Sequence, residues 1–598
     1  MPRNFFNSHN LGGEYLDLEE NLRLGTPTAV FGVSQPHKAL IVSSCLPCRA
    51  VYVAADAQTA ARAAAEIEGF SGVRPPLLCA KDEVLLYKDA VSKDALFRRL
   101  NALHEIRSGA AVTVCDIESL LQLFPARLSS LWLKEGEEID FSSLPAKLVK
   151  LGYTRTASVE NKGQFALRGD ILDIFPINAE NPLRVDFFGD TVEKLKPYNF
   201  ITGERLPLVS QAEILTATDV MIEPEETDVL KDALFSELAA FKDAAAYERA
   251  SAIAGDISAK LEEGVAFGGA SFLFPLLKNA TGFRSFFGDA LFLFDECKLI
   301  YDKLDALYKE HDERYFSLRR GGEVFSFSRR QLEEREKFLA DLSSVRSAAL
   351  QTFASKTYFF EPLKIYNLHA TPVGRYLNGL MNFVADVKSW RSNGYRVMVY
   401  CGTAARAQKL RELLADEYVS AADCPPSLEM LKGVCVLAEE LEHGIILHDM
   451  KLAVIGTGDL YTKAATKKRI RRRRNDMFTS PEVGDYAVHE THGVGRIVGT
   501  KKIETTDGTK EYIALEYRGG DVLYVPVEQM DILSRYMGEE TPSLSKIGGA
   551  EFEKVKQRVK ASLKAMAFDL KKLYAERAEK RGFEFAPHEE EMEEFEAA

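Results

Sequence analysis

The segment that most restricts the possible folds is residues 484–533, which holds short strand-like runs and tight-turn residues but no helix-length stretch. Within it, Ile513, Leu515 and Tyr517 alternate with other side chains at the period of a half-buried strand. The Asp-Gly pair at 507–508 has the residue types that a hairpin turn prefers. The segment therefore predicts a small β-barrel. Because nothing in it looks catalytic, we expect a docking module.

Length, charge and hydropathy bound the rest of the chain. Its 598 residues predict roughly three to five domains. The net charge of −13, from 76 basic and 89 acidic residues, excludes a protein that holds DNA across its whole surface, because that surface would repel phosphate. No run of 18 apolar residues occurs and the first residues lack a signal-peptide core. We expect a cytoplasmic protein with no membrane contact and with protein partners.

Cysteine usage predicts neither a disulfide framework nor a metal site. The eight cysteines are spread along the chain, which fits a reducing compartment. Cys45 and Cys48 form a lone CxxC with no second ligand pair nearby.

Residues 28–56 have the strand, loop, helix, strand order with which a nucleotide-binding α/β domain begins. Gly32 and Lys38 occupy the first glycine and the lysine of the phosphate-binding motif G-x-x-x-x-G-K-[ST], but His37 and Ala39 replace its second glycine and its hydroxyl residue. These replacements remove the close backbone approach to phosphate and the Mg²⁺ ligand. The loop is predicted to be inactive.

A second part of such a site follows much later in the chain. Residues 288–300 contain an apolar strand that ends in Asp295 and Glu296, as a Walker B strand ends in carboxylates for Mg²⁺ and water. Taken with the altered loop, this pair predicts a domain descended from an ATPase that no longer hydrolyses ATP, with no catalytic residues.

Between these two segments, residues 151–215 have β patterning and many turn residues. Residues 171–175 and 183–188 form two predicted strands around a Pro/Asn-rich turn, so Arg168 and Arg184 can lie near one another across the hairpin. Phe188 lies beside a turn. The residues alone leave two interpretations open: solvated arginines beside core aromatics, or an arginine–aromatic binding patch.

A further α/β domain is predicted after residue 370. Its helices are expected at Arg375–Ser389 and Ala404–Leu414, and its strands at Tyr395–Tyr400, Gly433–Leu437 and Lys451–Gly456, forming a small parallel sheet. It has no phosphate loop and no paired catalytic residues, so its role stays open.

The remaining segments are a basic run, an amphipathic helix and an acidic tail. Residues 467–474 are almost all basic, which suits a solvated linker better than a phosphate contact. From Phe552 to Leu573, apolar residues recur at helical spacing and form one stripe. Such a helix must pack on something to be stable.

Together these segments resemble the family of bacterial transcription-repair coupling factors (Mfd), over essentially the whole chain. Residues 168–199 resemble the domain that this family shares with the excision-repair subunit UvrB. The motif HGVGRIVG at 492–499 and the run DVLYVPVEQMDIL at 521–533 resemble the family's RNA polymerase-interacting domain, which is similar to CarD regulators. Residues 545–560 resemble the helix that joins this module to a motor.

The resemblance implies a multidomain α/β and β fold: a UvrB-like degenerate ATPase module with an inserted β-rich domain, a small α/β domain, and a Tudor/CarD-like small β-barrel followed by a long helix. The implied segments are 1–150 (first part of the UvrB-like α/β module), 151–215 (UvrA-binding domain), 216–345 (second part of the module), 346–460 (small α/β domain), 461–481 (basic linker), 482–540 (polymerase-interacting domain) and 541–598 (connecting helix and start of a motor region).

The resemblance also implies partners and the residues that bind them. Arg168, Arg184 and Phe188 match the family's UvrA-contacting positions, and Ile503 matches an apolar residue that contacts the RNA polymerase β subunit. The implied function is transcription-coupled nucleotide excision repair: the family recognises a polymerase stalled at a lesion, recruits UvrA and displaces the polymerase. A monomer is expected.

In this family a RecG-like double-stranded DNA translocase, an ATP hydrolase of helicase superfamily 2, follows at about the point where this sequence stops. No intact G-x-x-x-x-G-K-[ST] occurs in the 598 residues. We therefore expect an N-terminal portion that acts as the adaptor half and has no cofactor of its own. ATP, Mg²⁺ and most DNA contact are implied for the missing motor.

Two other functions compete with this one. A UvrB-like excision-nuclease subunit with an active ATPase would need nucleotide binding at Gly32–Ala39, and UvrB lacks the barrel at 484–533. A stand-alone CarD-like polymerase regulator would explain the barrel but not the first 450 or so residues.

Overall fold

The structure, a computed structural model, describes residues 6–81, 83–87, 93–200, 203–263, 267, 269–376, 379–422, 425, 427–461, 484–489, 493–505, 508–518, 521–526, 533–535 and 544. The chain divides into two compact units, residues 1–466 and residues 467–598, and each is described by itself. Among the described residues, no helix combines the length and the apolar character needed to cross a bilayer.

The strands of the first unit are short and mostly buried. In chain order they are β1 (Thr28–Phe31), β2 (Ala50–Ala54), β3 (Leu77–Leu78), β4 (Val112–Asp116), β5 (Phe124–Pro125), β6 (Ser130–Lys134), β7 (Thr154–Arg155), β8 (Gln164–Arg168), β9 (Ile171–Ile174), β10 (Leu183–Phe188), β11 (Thr191–Pro197), β12 (Gln211–Leu215), β13 (Ala280–Thr281), β14 (Leu291–Asp295), β15 (Arg346–Gln351), β16 (Lys364–Asn367), β17 (Thr371–Pro372), β18 (Arg396–Tyr400), β19 (Ala421–Ala422), β20 (Val434–Leu437), β21 (Ile445–Leu447) and β22 (Leu452–Ile455).

The helices of this unit cover the sheets. In chain order they are α1 (Ser8–Leu11), α2 (Gly13–Leu24), α3 (Gln35–Ser44), α4 (Ala57–Ser71), α5 (Lys93–Arg107), α6 (Ile117–Leu121), α7 (Leu144–Lys150), α8 (Thr227–Ser236), α9 (Ala244–Glu263), α10 (Phe283–Phe287), α11 (Cys297–Gly321), α12 (Arg335–Ser344), α13 (Leu380–Ser392), α14 (Ala404–Asp416) and α15 (Thr457–Leu460). Short 3₁₀ helices lie at Pro224–Glu226, Glu237–Ala240, Ala270–Leu276, Ser326–Gln331 and Leu428–Met430.

A seven-stranded sheet in the order β16-β1-β15-β14-β2-β4-β3 forms the base of the first unit. All of its strands are parallel. Every residue of β2 and β14 is buried, which explains their continuous apolar sequences, because parallel sheets are covered by helices on both faces. The carboxyl ends of β1 and β14 meet at one edge of this sheet, where an open α/β sheet binds ligands.

The β-rich insertion lies within the stretch of chain between β4 and β14. Its main sheet has five strands in the order β11-β10-β9-β8-β7, and β8, β9, β10 and β11 form an antiparallel meander. A separate antiparallel pair joins β6 to β12, so residues 130–134 lie with this region too. The inward residues, among them Leu172, Val185 and Phe187, are buried in one apolar core.

The small α/β region contains a six-stranded sheet in the order β17-β21-β22-β18-β20-β19. The three predicted strands, β18, β20 and β22, are parallel as predicted. The sheet as a whole is mixed rather than parallel, because β21 and β17, which were not predicted, are antiparallel to their neighbours. The predicted helix at Arg375–Ser389 begins later, as α13, since Gly379 caps it and β17 precedes it. The apolar core of this region meets that of the first sheet: Leu40 and Ile67 share a cluster with Met398 and Leu437.

Strands β15 and β16 also correct the predicted boundary of that region. They lie within the range 346–460 assigned to the small α/β domain, yet they pair with β1 and β14 of the seven-stranded sheet. Their backbone hydrogen bonds place residues 346–367 with the first sheet.

The second unit contains a five-stranded antiparallel sheet in the order β26-β25-β24-β23-β27. Its strands are β23 (Tyr486–His489), β24 (Gly493–Thr505), β25 (Gly508–Glu516), β26 (Val522–Pro526) and β27 (Leu533–Arg535). A register shift between Ile497 and Gly499 bends β24. Among the described strands of this unit, no pairing joins β26 to β27, so these two are edge strands. The described strands therefore form an open sheet rather than the predicted closed barrel.

The alternation predicted for this sheet is confirmed, because Ile513, Leu515 and Tyr517 are all buried in its core. Of the predicted Asp-Gly turn, only Gly508 lies among the described residues. Gly508 pairs with Thr505 as a strand residue, whereas Asp507 lies outside the described residues.

Candidate functional site

Arg168, Arg184 and Phe188 lie on the outer face of the five-stranded sheet. Residues of β10 alternate between buried and more exposed positions, and Arg184 and Phe188 take exposed positions while Val185 faces the core. Arg168 is exposed at the end of β8. The two arginines are therefore separated by β9, on strands about 10 Å apart, and are offset by two residues along the strands.

Arg184 is held by a carboxylate on the neighbouring strand. Its Nε and Nη2 donate to Oδ1 and Oδ2 of Asp173 at 2.7 and 2.9 Å, the two-pronged geometry that suits guanidinium and carboxylate. The ring of Tyr198 lies 5.7 Å from the Arg184 guanidinium. The hydrogen bonds to Asp173 raise the pKa of Arg184 above its ordinary value. This pair holds the Arg184 guanidinium against Asp173 on the outer face of the sheet.

Arg168 has a different environment. Its Nη2 donates to the carbonyl oxygen of Ala157 at 2.8 Å, so its contact is with a neutral group. Ile171, opposite Arg168 in the ladder, is 38% exposed, and Phe188 is 81% exposed. The face thus presents both arginines together with two exposed apolar side chains, a composition that suits a protein interface.

The loop that resembles a phosphate-binding motif does not form a cradle. Helix α3 already begins at Gln35. The backbone from Gln35 to Lys38 is therefore helical and does not wrap around an anion. Gly32 has a φ of +78°, and a Cβ there would lie 2.8 Å from the carbonyl oxygen of Leu368. Close packing against this carbonyl therefore explains the glycine without any ligand.

Lys38 is neutralised within the fold. Its Nζ lies 2.7 Å from Asp295 Oδ1 and 2.6 Å from Glu296 Oε1, and the Lys38 and Asp295 side chains are almost fully buried. Glu296 also accepts from the backbone N–H and the hydroxyl of Thr352, both at 2.7 Å. Burial opposes ionisation of Glu296, yet Lys38 and Thr352 hold the pKa of its carboxyl below the ordinary value.

Glu296 adopts a left-handed backbone conformation, with a φ of 58°. A non-glycine residue there is strained, and the strain is offset by the contacts to Lys38 and Thr352. The cation and both carboxylates of the predicted degenerate site thus bind one another. That arrangement supports the prediction of an inactive loop, which stays a prediction until nucleotide binding is measured.

Ile503 lies in β24, where its backbone pairs with Lys510 next to the hairpin end. Its assignment as a polymerase contact stays a prediction. The predicted basic linker at 467–474 and the amphipathic helix at 552–573 lie outside the described residues.

Two functional features were missed from the sequence. Asp173 was not identified as the partner of Arg184, although opposite charges on facing strands would have been a usable signal once the hairpin register was known. The burial of His37 was also missed: this residue is fully buried, and its Nε2 lies 2.8 Å from the Tyr15 hydroxyl.

Comparison with protein families defines the class to which these surfaces belong. The family described as UvrB interaction domain matches residues 131–219, which include the five-stranded sheet. The family described as CarD-like/TRCF RID domain matches residues 482–537, which include the second unit's sheet. The chain is therefore a multidomain protein that combines a UvrB interaction domain with a CarD-like domain.

Similarity over most of the chain confirms the resemblance seen in the sequence. The chain is 29% identical to the transcription-repair-coupling factor of Bacillus subtilis (strain 168) over 553 residues, which are 88% of this chain and 46% of that protein. It is 28% identical to the transcription-repair-coupling factor of Staphylococcus aureus (strain USA300) over 498 residues, 78% of this chain and 40% of that protein. The chain is thus similar to the transcription-repair-coupling factors over most of its own length and spans less than half of the length of these two proteins.

Proposed function

We propose that this chain links RNA polymerase stalled at DNA damage to nucleotide excision repair by docking on two proteins. The outer face of the five-stranded sheet, with Arg168, Arg184 and Phe188, binds UvrA. The sheet of residues 484–535, with Ile503, binds the β subunit of RNA polymerase. Displacement of the polymerase needs an ATP-driven motor on DNA, and the residues described here are assigned only to the two docking steps.

The observation that carries this proposal is the presence in one chain of a UvrB interaction domain and a CarD-like/TRCF RID domain. The outward presentation of two arginines and an exposed phenylalanine within the first of these domains supports a protein contact there. A single docking domain would suit an adaptor poorly, whereas two suit a protein that brings two partners together.

The internal pairing of Lys38 supports the degenerate-ATPase part of the fold prediction. An active UvrB-like ATPase would need this lysine for nucleotide phosphates, and here it is neutralised by Asp295 and Glu296. The UvrB-like alternative is not favoured, and a stand-alone CarD-like regulator would not account for the match at 131–219.

Two pull-down measurements on the full chain test the proposal. Arg168→Ala combined with Arg184→Ala is expected to abolish capture of UvrA and to leave capture of RNA polymerase unchanged. Ile503→Arg is expected to do the converse, because a charge placed in an apolar contact is costly. Equal UvrA capture by the double arginine variant would contradict the UvrA assignment, and equal polymerase capture by Ile503→Arg would contradict the polymerase assignment.

A further inference from the structure

Asp173 and Arg184 form the most ordered charged pair on the outer face of the five-stranded sheet. They lie directly opposite one another on β9 and β10. The Asp173 side chain is 9% exposed and that of Arg184 is 45% exposed, so the carboxylate lies beneath the guanidinium. Both carboxylate oxygens are used by Arg184. The bond therefore fixes the cation from below and leaves part of it open to solvent.

This geometry restricts the freedom of Arg184 before any partner arrives. A guanidinium has five N–H donors in a rigid fork, and Asp173 uses only Nε and Nη2. The Tyr198 ring limits movement on another side. A side chain that is already ordered loses less entropy on binding, and that saving strengthens affinity.

We propose that Asp173 is a positioning residue for the UvrA-binding face, which presents Arg184 as an oriented hydrogen-bond donor to an oxygen acceptor of UvrA. The inference rests on the proposed function of this face. The acceptor is a carboxylate or a backbone carbonyl, because only an oxygen acceptor suits the donors that Asp173 leaves unused. The pair carries no net charge, so Arg184 acts mainly through geometry. Arg168, which contacts the neutral carbonyl of Ala157, acts as a charge.

A simpler account treats the face as a diffuse positive patch. The two accounts predict opposite changes in UvrA affinity when the Asp173 carboxylate is removed. Removing the Asp173 carboxylate makes the face more positive, so a diffuse patch would bind an acidic partner more tightly. If Asp173 positions Arg184, the same change weakens binding. Asp186 offers a matched control, since it lies on this face and pairs with Lys196. Asp186→Asn changes the charge equally without removing a hydrogen-bond partner of Arg184.

The experiment measures UvrA binding kinetics with the full 598-residue chain. Asp173→Asn is expected to weaken affinity by up to about tenfold, mainly through faster dissociation. In the Arg184→Ala background, Asp173→Asn is expected to have no further effect, since the two residues act as one unit. Asp186→Asn is expected to bind like the wild type or more tightly.

Arg184→Lys keeps a cation beside Asp173 but cannot form the fork, so it tests the idea even if Asp173→Asn disturbs the fold. It is expected to lose affinity like Asp173→Asn while melting like the wild type. Wild-type affinity in Arg184→Lys, or in a folded Asp173→Asn, would overturn the positioning role and leave the proposed function intact. No UvrA binding by the wild type would overturn the proposed function itself.

Discussion

Lys38, in the buried Lys38–Asp295–Glu296 cluster, and Arg184, on the outer face of the five-stranded sheet, are both cations bound by carboxylate oxygens. They differ in their exposure to solvent. The Lys38 and Asp295 side chains are 3% and 2% exposed. The Arg184 side chain is 45% exposed above a buried Asp173. Lys38 is buried and bound by two carboxylates, whereas Arg184 is bound by one carboxylate and remains partly open to solvent.

This difference shows that ionic residues in a nucleotide-site position can serve the fold alone. A buried ion pair cannot lose one member without leaving an unpaired charge in an apolar interior. An exposed, anchored cation can still bind a partner, because its partner's oxygen replaces water. Burial therefore distinguishes the structural role expected of Lys38 from the binding role proposed for Arg184, and the following variants test that distinction.

The largest expected effect is a loss of stability when the buried Lys38–Asp295–Glu296 cluster is broken. Lys38→Met leaves the Asp295 carboxylate buried without its cation, which we expect to lower the free energy of unfolding by about 3–5 kcal/mol. The measurement is denaturant unfolding followed at the transition of the first unit. Lys298→Met is the control, because Lys298 forms an exposed pair with Asp302 on α11 and its loss should leave that transition unchanged. Equal stability of Lys38→Met and the wild type would contradict the structural role.

The next effect is a loss of stability in acid that arises from His37, the neighbour of Lys38 in α3. Burial lowers the pKa of His37 to about 4 from its ordinary 6.5, so the unfolded chain binds this proton first as the pH falls. The stability that neutral His37 contributes is therefore complete above pH 6.5 and is lost between about pH 6.5 and 4, up to about 3 kcal/mol.

His37→Gln isolates that contribution, because glutamine can bond the Tyr15 hydroxyl but does not titrate. We expect the difference in unfolding free energy between the wild type and this variant to change in favour of the variant as the pH falls from 7 to 4. If the difference in unfolding free energy stayed constant over that pH range, His37 would not be held neutral in the folded protein.

The smallest expected effect is at the exposed face. Phe188→Ala is expected to weaken UvrA binding by about tenfold, as loss of an interface aromatic does, without changing stability. Phe353→Ala is a matched control, because Phe353 is 79% exposed and Phe188 is 81% exposed. Comparable losses of UvrA affinity in both variants would remove the special role of Phe188.

Much of the local structure could be predicted where side chains alternate. The strand predicted at 183–188 is β10 and that at 171–175 is β9, one residue shorter, because a strand with one buried face shows its period in the sequence. The helix predicted at Ala404–Leu414 is α14, which ends two residues later at Asp416. The start of α13 was wrong because the pattern of apolar residues does not show that Gly379 caps the helix.

Long-range pairing could not be predicted in the same way. The alignment of Arg184 with Asp173 depends on the register of two strands, and the meeting of Lys38 with Asp295 depends on the order of strands in a parallel sheet. Neither is encoded in a local period. Residue type alone suggested the loss of the phosphate loop, but only the fold shows that Lys38 is neutralised internally.

The most direct test measures UvrA affinity and unfolding on the same two variants, Lys38→Met and Arg184→Ala. We expect Lys38→Met to lose stability and to keep wild-type affinity for UvrA at a temperature where it remains folded. We expect Arg184→Ala to lose UvrA affinity and to lose less stability than Lys38→Met, because water can reach the Asp173 carboxylate once the half-exposed guanidinium is removed. A folded Lys38→Met that loses UvrA affinity, or an Arg184→Ala that binds UvrA like the wild type, would contradict the assignment of binding to the outer face.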